Sequence, residues 1–249
     1  MRLPSTLDTA ARAVLCAALL SLAPAAFAHY LWIERDGERV RVYFGEVNEV
    51  REQSPGRLDE IVAPRLSVIA ADGAERELAV QRRRGSFAAT GAGRAANLVA
   101  TESRYEVKDW TRQGIGVVKP MFYARTSAWP ARSPVPATAA MRHDVRPAPG
   151  KAEAVEVLFD GKPLAGAKVV VHAPNGWDQE QKADEQGRAL VAMPWRGQYV
   201  VEVIHKEAAA GEFEGQRFEA VRHRATLSVV KSSGVNPAGT GSLAPKVAD

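Results

Sequence analysis

Ala154-Val155-Glu156-Val157-Leu158-Phe159, Asp160-Gly161-Lys162-Pro163-Leu164-Ala165-Gly166 and Ala167-Lys168-Val169-Val170-Val171-His172 form the stretch that decides the fold. Two short β-branched runs flank a connection rich in Gly and Pro, which reads as strand, tight turn and return strand. The same grammar continues downstream. Asp184-Glu185-Gln186-Gly187 turns into Arg188–Met193, and Pro194-Trp195-Arg196-Gly197 turns into Gln198–Lys206. A long connection over 207–220 then delivers Val221–Val230. Short strands punctuated by Gly and Pro predict a β-sandwich.

Upstream, Tyr30–Glu34 and Arg39–Phe44 flank Asp36-Gly37. In the second run Val40, Val42 and Phe44 share one face and Arg39, Arg41 and Tyr43 the other, which predicts a hairpin. A second hairpin is expected across Asp72-Gly73, with further strands over 96–106 and 114–125. No window carries a sustained helical stripe, so the fold class is all-β. Residues 127–152 hold Pro130, Pro134, Pro136, Pro147 and Pro149, a density that central strands exclude. The expected order is an N-terminal β domain over 29–126, a Pro-rich linker over 127–152 and a C-terminal β-sandwich over 153–231. A disordered tail is expected over 232–249.

Residues 1–28 read as a secretory signal peptide. Arg2 and Arg12 supply positive charge, Ala13–Leu22 the apolar centre, and Ala26-Phe27-Ala28 the small-x-small cleavage site. The apolar centre is too short for a membrane span, which takes about 20 residues. The expected location is the periplasm. Cys16, the only cysteine, leaves with the signal, so no disulfide can brace the mature chain. The formal charge of +4 is diffuse, which argues against nucleic acid as a partner. Arg82-Arg83-Arg84, the densest charge run, reads as a solvated hairpin flank.

Cleavage after Ala28 would make His29 the first residue, with an imidazole and a free α-amine that can chelate one ion. His205 shares strand parity with Tyr199, Val201 and Val203, and His223 with Ala225, Leu227 and Val229. Paired antiparallel, the two histidines would face each other within reach of a metal. His29, His205 and His223 are the candidate metal ligands. Amine and imidazole donors suit nickel, cobalt or copper. His143, inside the Pro-rich segment, reads as an exposed linker residue, and His172 as a weaker candidate. No catalytic signature is present: no Gly-x-Ser-x-Gly elbow and no His-Glu-x-x-His helix. The expectation is a non-catalytic protein.

Gly161-Lys162-Pro163-Leu164-Ala165-Gly166-Ala167-x-Val169, Asp184-x-x-Gly187 and Gly197-x-Tyr199 resemble a carboxypeptidase-regulatory-like, prealbumin-like β-sandwich. With Ala28-His29-x-x-Trp32 and the closing Arg222-His223-Arg224-Ala225-Thr226-Leu227, residues 26–231 resemble the domain-of-unknown-function 4198 family. Its members are exported bacterial proteins often described as periplasmic components of nickel or cobalt uptake. That resemblance implies metal binding and a membrane permease as partner. The competing expectation is an envelope scaffold or adhesion module, in which Trp110, Trp129, Trp177 and Trp195 would contact a protein or polysaccharide.

Overall fold

The computed structural model describes residues 29–93, 97–237 and 246–247, arranged as three β layers and a small hairpin. The leader read over 1–28 and most of the tail lie outside the described residues. Among those described, no helix is long and apolar enough to cross a membrane.

The first layer holds β1 (Tyr30–Asp36), β2 (Arg39–Glu46), β3 (Val50–Arg51), β6 (Gln81–Arg83), β7 (Ser86–Ala89) and β21 (Lys246–Val247). The Asp36-Gly37 hairpin forms as the alternation predicts, with Tyr30 opposite Gly45 and Asp36 opposite Arg39. Gly37 takes φ +59, the left-handed region its turn requires. Leu31, Ile33, Val40, Val42 and Phe44 are buried on the inner face, together with Phe87 from β7.

The central layer is a nine-stranded sheet. Its strands are β4 (Arg65–Ile69), β5 (Glu75–Leu78), β8 (Leu98–Glu102), β9 (Lys108–Trp110), β10 (Gly116–Thr126), β14 (Lys168–His172), β15 (Asp178–Lys182), β17 (Gly197–Glu207) and β20 (Ala220–Lys231). It runs β15-β14-β17-β20-β10-β8-β4-β5, with β9 also on β10. β10 and β20 pair in parallel, Val118 opposite Ala220 through Thr126 opposite Ser228. The two halves expected as separate domains therefore share one sheet.

The third layer is β11 (His143–Pro147), β12 (Ala154–Phe159), β13 (Lys162–Pro163) and β16 (Arg188–Leu190). β12 does not pair with its expected return strand. β13 turns back on it, and β14 crosses to the central sheet beside β17. The Asp184-x-x-Gly187 motif is the hinge of this layer: Asp184 Oδ1 accepts from the Gln186 and Arg188 amides at 2.9 and 2.8 Å. A Cβ at Gly187 would stand 2.6 Å from the Val157 carbonyl oxygen, so only glycine fits. The linker expectation needs correction at its end. β11 is a buried strand, tolerating Pro147 because its only ladder partner among the described residues is β12. The connection over 207–220 carries a further hairpin, β18 (Gly211–Phe213) with β19 (Gln216–Phe218).

Each face of the central sheet buries a core. Val169, Val171, Tyr199, Val201, Val203, Ala225, Leu227 and Val229 pack against Val145, Val155 and Val157 of the third layer. Leu66, Leu98, Ala100, Phe122 and Ala124 pack against the first layer. Residues 224, 226 and 228 of β20 face that first layer and hold β1 through its main chain. Arg224 Nη1 donates to His29 O at 2.9 Å, Thr226 Oγ1 to Leu31 O at 2.6 Å, and Ile33 N to Ser228 Oγ at 3.3 Å.

Candidate functional site

His205 and His223 stand directly opposite in the antiparallel register of β17 and β20, as their parity predicts. Their rings stack at 6.3 Å between centroids. His143, the residue expected to be exposed, is fully buried and completes a three-histidine cluster, its ring 6.0 Å from that of His205. The Phe159 ring lies among them, 4.4 Å from His205 and 5.0 Å from His223. Both His223 nitrogens are engaged, Nδ1 with Tyr123 Oη at 3.0 Å and Nε2 with Glu207 Oε2 at 2.9 Å. His143 Nδ1 bonds the Leu158 carbonyl at 3.1 Å. Burial pushes the His143 imidazole down to about 4, aided by its histidine neighbours, so it is neutral near pH 7. Burial also lowers His223, against the opposing pull of Glu207. Phe159 fills the space between the rings, and His143 Nε2, like His29 Nδ1, is buried without a hydrogen bond.

His29 does not join it. Successive strand residues point to opposite faces of a sheet. Arg224, which holds the His29 carbonyl, faces the first layer, whereas His223 faces the third. The three-ligand set His29, His205 and His223 is therefore not assembled, because the central sheet stands between.

What surrounds His29 instead is a pair of carboxylates that sequence reasoning missed. Glu46, ending β2, places Oε1 3.2 Å from His29 Nδ1. Glu52, just beyond β3, is buried and pairs Oε1 with His29 Nε2. The β2–β3 bend that brings both acids back requires Gly45, where a Cβ would meet the Val50 oxygen at 2.2 Å. Phe44 closes one side, its ring edge-on at 5.4 Å, and Arg57 Nη1 lies 3.3 Å from Nε2.

The chemistry follows from the two nitrogens. Each ring nitrogen faces a carboxylate, Nδ1 that of Glu46 and Nε2 that of Glu52, so either can carry the proton. Nδ1 is buried and makes no hydrogen bond, although Glu46 Oε1 is only 3.2 Å away. A proton or a bound cation between Nδ1 and Glu46 Oε1 would relieve the repulsion of their facing lone pairs. Among the described residues, no three His, Cys, Asp or Glu side chains form a ready-made cation cage. Imidazole Nδ1 and one carboxylate are two donors of a set that a free α-amine on His29 would complete.

Beyond the Tyr30 ring lies a second, fully satisfied network. His172 stacks on Tyr30 at 5.6 Å and bonds Asp178 Oδ1 at 2.8 Å and Glu202 Oε2 at 3.3 Å. Arg224 Nε donates to Glu202 Oε1 at 2.5 Å. Burial alone would lower His172, but the hydrogen bonds and charges of Asp178 and Glu202 outweigh it and raise the imidazole to about 9. Burial would raise Glu202, yet Arg224 and His172 bring it down to about 2. His172 is thus a bridging imidazolium with both nitrogens occupied, which removes it as a ligand.

Residues 143–207 match a family model described as Domain of unknown function (DUF4198). The match agrees with the family resemblance read over 26–231 but covers only the C-terminal part of it. The matched segment carries His143, His172, Glu202 and His205, while His29, Glu46, Glu52 and His223 lie outside it. No curated protein and no solved structure matches the chain.

Proposed function

We propose that this chain is an exported, non-catalytic protein that binds a divalent transition ion, nickel, cobalt or copper, and presents it to a membrane permease. The observation that carries the reading is the orphaned, buried His29 Nδ1 beside the Glu46 carboxylate. Once cleavage after Ala28 frees the α-amine, His29 offers the two nitrogens of a chelate and Glu46 an oxygen. Glu52 supports the ring from Nε2, as carboxylates commonly do for metal-bound histidines. Nitrogen donors with one carboxylate suit Cu(II) or Ni(II). DUF4198 itself is a domain of unknown function, so the family match adds nothing to this reading.

The test is calorimetric titration of protein beginning at His29 with Ni(II), Co(II) and Cu(II). Micromolar or tighter binding is expected, lost when Ala28 is retained ahead of His29 and weakened at least about 10-fold in Glu46→Gln, about 1.4 kcal/mol. Silence with all three ions would sink the proposal. So would binding indifferent to both changes.

The scaffold reading draws on a different observation. Trp177 is 47% exposed and meets Trp195 edge-on at 5.6 Å, an aromatic pair of the kind that contacts partners.

A further inference from the structure

The outer face of the first layer carries a trough whose construction can be followed residue by residue. β7 lies between β2 and β6, with Arg41 opposite Ala88, Gln81 opposite Ala88 and Arg83 opposite Ser86. The outward residues of the middle strand are Ser86 and Ala88, the smallest available, while the strands on either side present arginines. Short side chains between long ones make a floor between walls. Two adjoining concavities of about 510 and 520 Å³ result, sharing Arg41 and Ser86.

Their walls hold Arg39, Arg41, Arg51, Arg83 and Arg84, and no acidic side chain lines either concavity. Among the described residues only Arg51 of these five has a carboxylate partner, Glu34 at 2.6 Å. Arg51 also lies over the Tyr43 ring at 4.1 Å and is fixed there. Arg82 belongs elsewhere. It points inward over Phe87 and donates to the carbonyls of Leu58, Ile61 and Val62 at 2.8, 2.6 and 2.8 Å. Strand alternation thus turns Arg82 inward and Arg83 to the trough, and Arg84, just past the end of β6, lines it as well.

Arg83 Nη2 donates to Gln81 Oε1 at 2.6 Å and Arg41 Nη1 to Tyr43 Oη at 3.5 Å, neutral acceptors that leave their charge in place, and Glu34 and Asp36 offset Arg41 in part. Five guanidinium groups against these two acids raise the local potential and favour an anion that enters between them. Arginine forks match phosphate and carboxylate oxygens bidentately. A phosphate has more acceptor oxygens than one fork uses, and Ser86, Gln53 and Gln81 line the same concavities with neutral donors. The trough extends across two concavities, which suits a linear chain. A flat bilayer surface cannot reach a floor recessed between the walls.

We infer that this trough is a docking site for a linear, phosphate-bearing polyanion. The inference is independent of the His29 site, and its ligand engages the opposite kind of charge.

The experiment measures fluorescence anisotropy of a labelled medium-length inorganic polyphosphate with the whole mature chain. Competition arms use free orthophosphate, polyglutamate and anionic phosphatidylglycerol vesicles. Saturable binding is expected that weakens with salt, is displaced by unlabelled polyphosphate, and is poorly displaced by the other three. Arg41→Glu and Arg83→Glu should each weaken it at least about 10-fold. Arg217→Glu on the far β18–β19 hairpin carries the same charge change and should leave it within about 2-fold. Ala88→Leu, which fills the floor without altering charge, should also weaken it. Circular dichroism confirms that each variant is folded, and a misfolded Ala88→Leu is replaced by Ser86→Val. No binding overturns the inference. Equal loss in Arg217→Glu reduces it to diffuse charge, and preferential competition by vesicles or polyglutamate assigns the surface to a different ligand. Each of those results rejects the proposal.

Discussion

Arg224 Nη1 donates to the main-chain oxygen of His29 at 2.9 Å, joining residues 195 positions apart. The same guanidinium lies over the Tyr30 ring at 4.9 Å and gives Nε to Glu202. One buried side chain therefore pins the start of β1 to the central sheet and balances a buried carboxylate. Removing one partner of a buried ion pair leaves the other uncompensated, at a cost of about 3–5 kcal/mol. Arg224→Leu should lower stability by that order and expose the Tyr30 amide to faster hydrogen exchange. The double variant Arg224→Leu/Glu202→Leu should recover part of the loss, because His172 keeps Asp178. Denaturant titration and exchange at Tyr30 check both, and a loss under about 1 kcal/mol in the single variant would contradict the role assigned to Arg224.

The same network fixes a pH window. His172 is raised from its ordinary 6.5 to about 9, so its contribution is complete below 6.5 and is lost as pH rises through about 9. Glu202 is lowered from 4.5 to about 2, so its contribution is present above 4.5 and fades as pH falls toward 2. The groups that face His172 are Asp178 on β15, Glu202 on β17 and the Tyr30 ring on β1; Glu49 is near enough to feel its charge. His172→Gln should flatten the fall in melting temperature between pH 7 and 9.5 while leaving the acid limb in place. An unchanged alkaline limb would remove the bridging imidazolium from the explanation.

How far the sequence carried this fold depends on which forces act locally. The β1–β2 hairpin was legible because its turn and its two-residue alternation lie within one window. The facing of His205 and His223 was legible from parity, since strand geometry converts an even count into a shared face. Partner choice was not. Lys168–His172 looks the same whether it returns on β12 or crosses to β17, and only the packing of Val169 and Val171 into the larger core decides. β15, Asp178-Gln179-Glu180-Gln181-Lys182, has no apolar residue to announce it and exists as an edge held by β14. β11 was hidden by prolines that an edge strand tolerates, and with it the buried Arg125–Asp144 pair, two contacts of 2.8 Å joining the central and third layers. Glu46 and Glu52 sit at a bend where acids ordinarily face water. Nothing short of the fold reveals that His29 comes back to them.

His143 supplies the last expectation. Its imidazole is fully buried and held down near 4 by burial, with His205 and His223 adding repulsion and the Leu158 and Val203 backbone opposing. Phe159 of β12, His205 of β17 and His223 of β20 are the side chains that face it, and only the two histidines among them titrate. A group depressed in the folded state favours unfolding as pH falls below its unfolded value, here 6.5, until its folded value is reached. Stability should therefore decline between pH 6.5 and 4 by at most about 1.4 kcal/mol per pH unit from this residue. His143→Leu keeps the volume and removes the proton site, so the slope of unfolding free energy over that interval should shrink by most of that amount. His223→Leu is the comparison, because its depression is opposed by Glu207 and its effect should be smaller. Urea titrations at half-unit pH steps measure both slopes. If His143→Leu leaves the slope untouched, the buried histidine is already protonated in the fold, and the neutral cluster described around Phe159 is wrong.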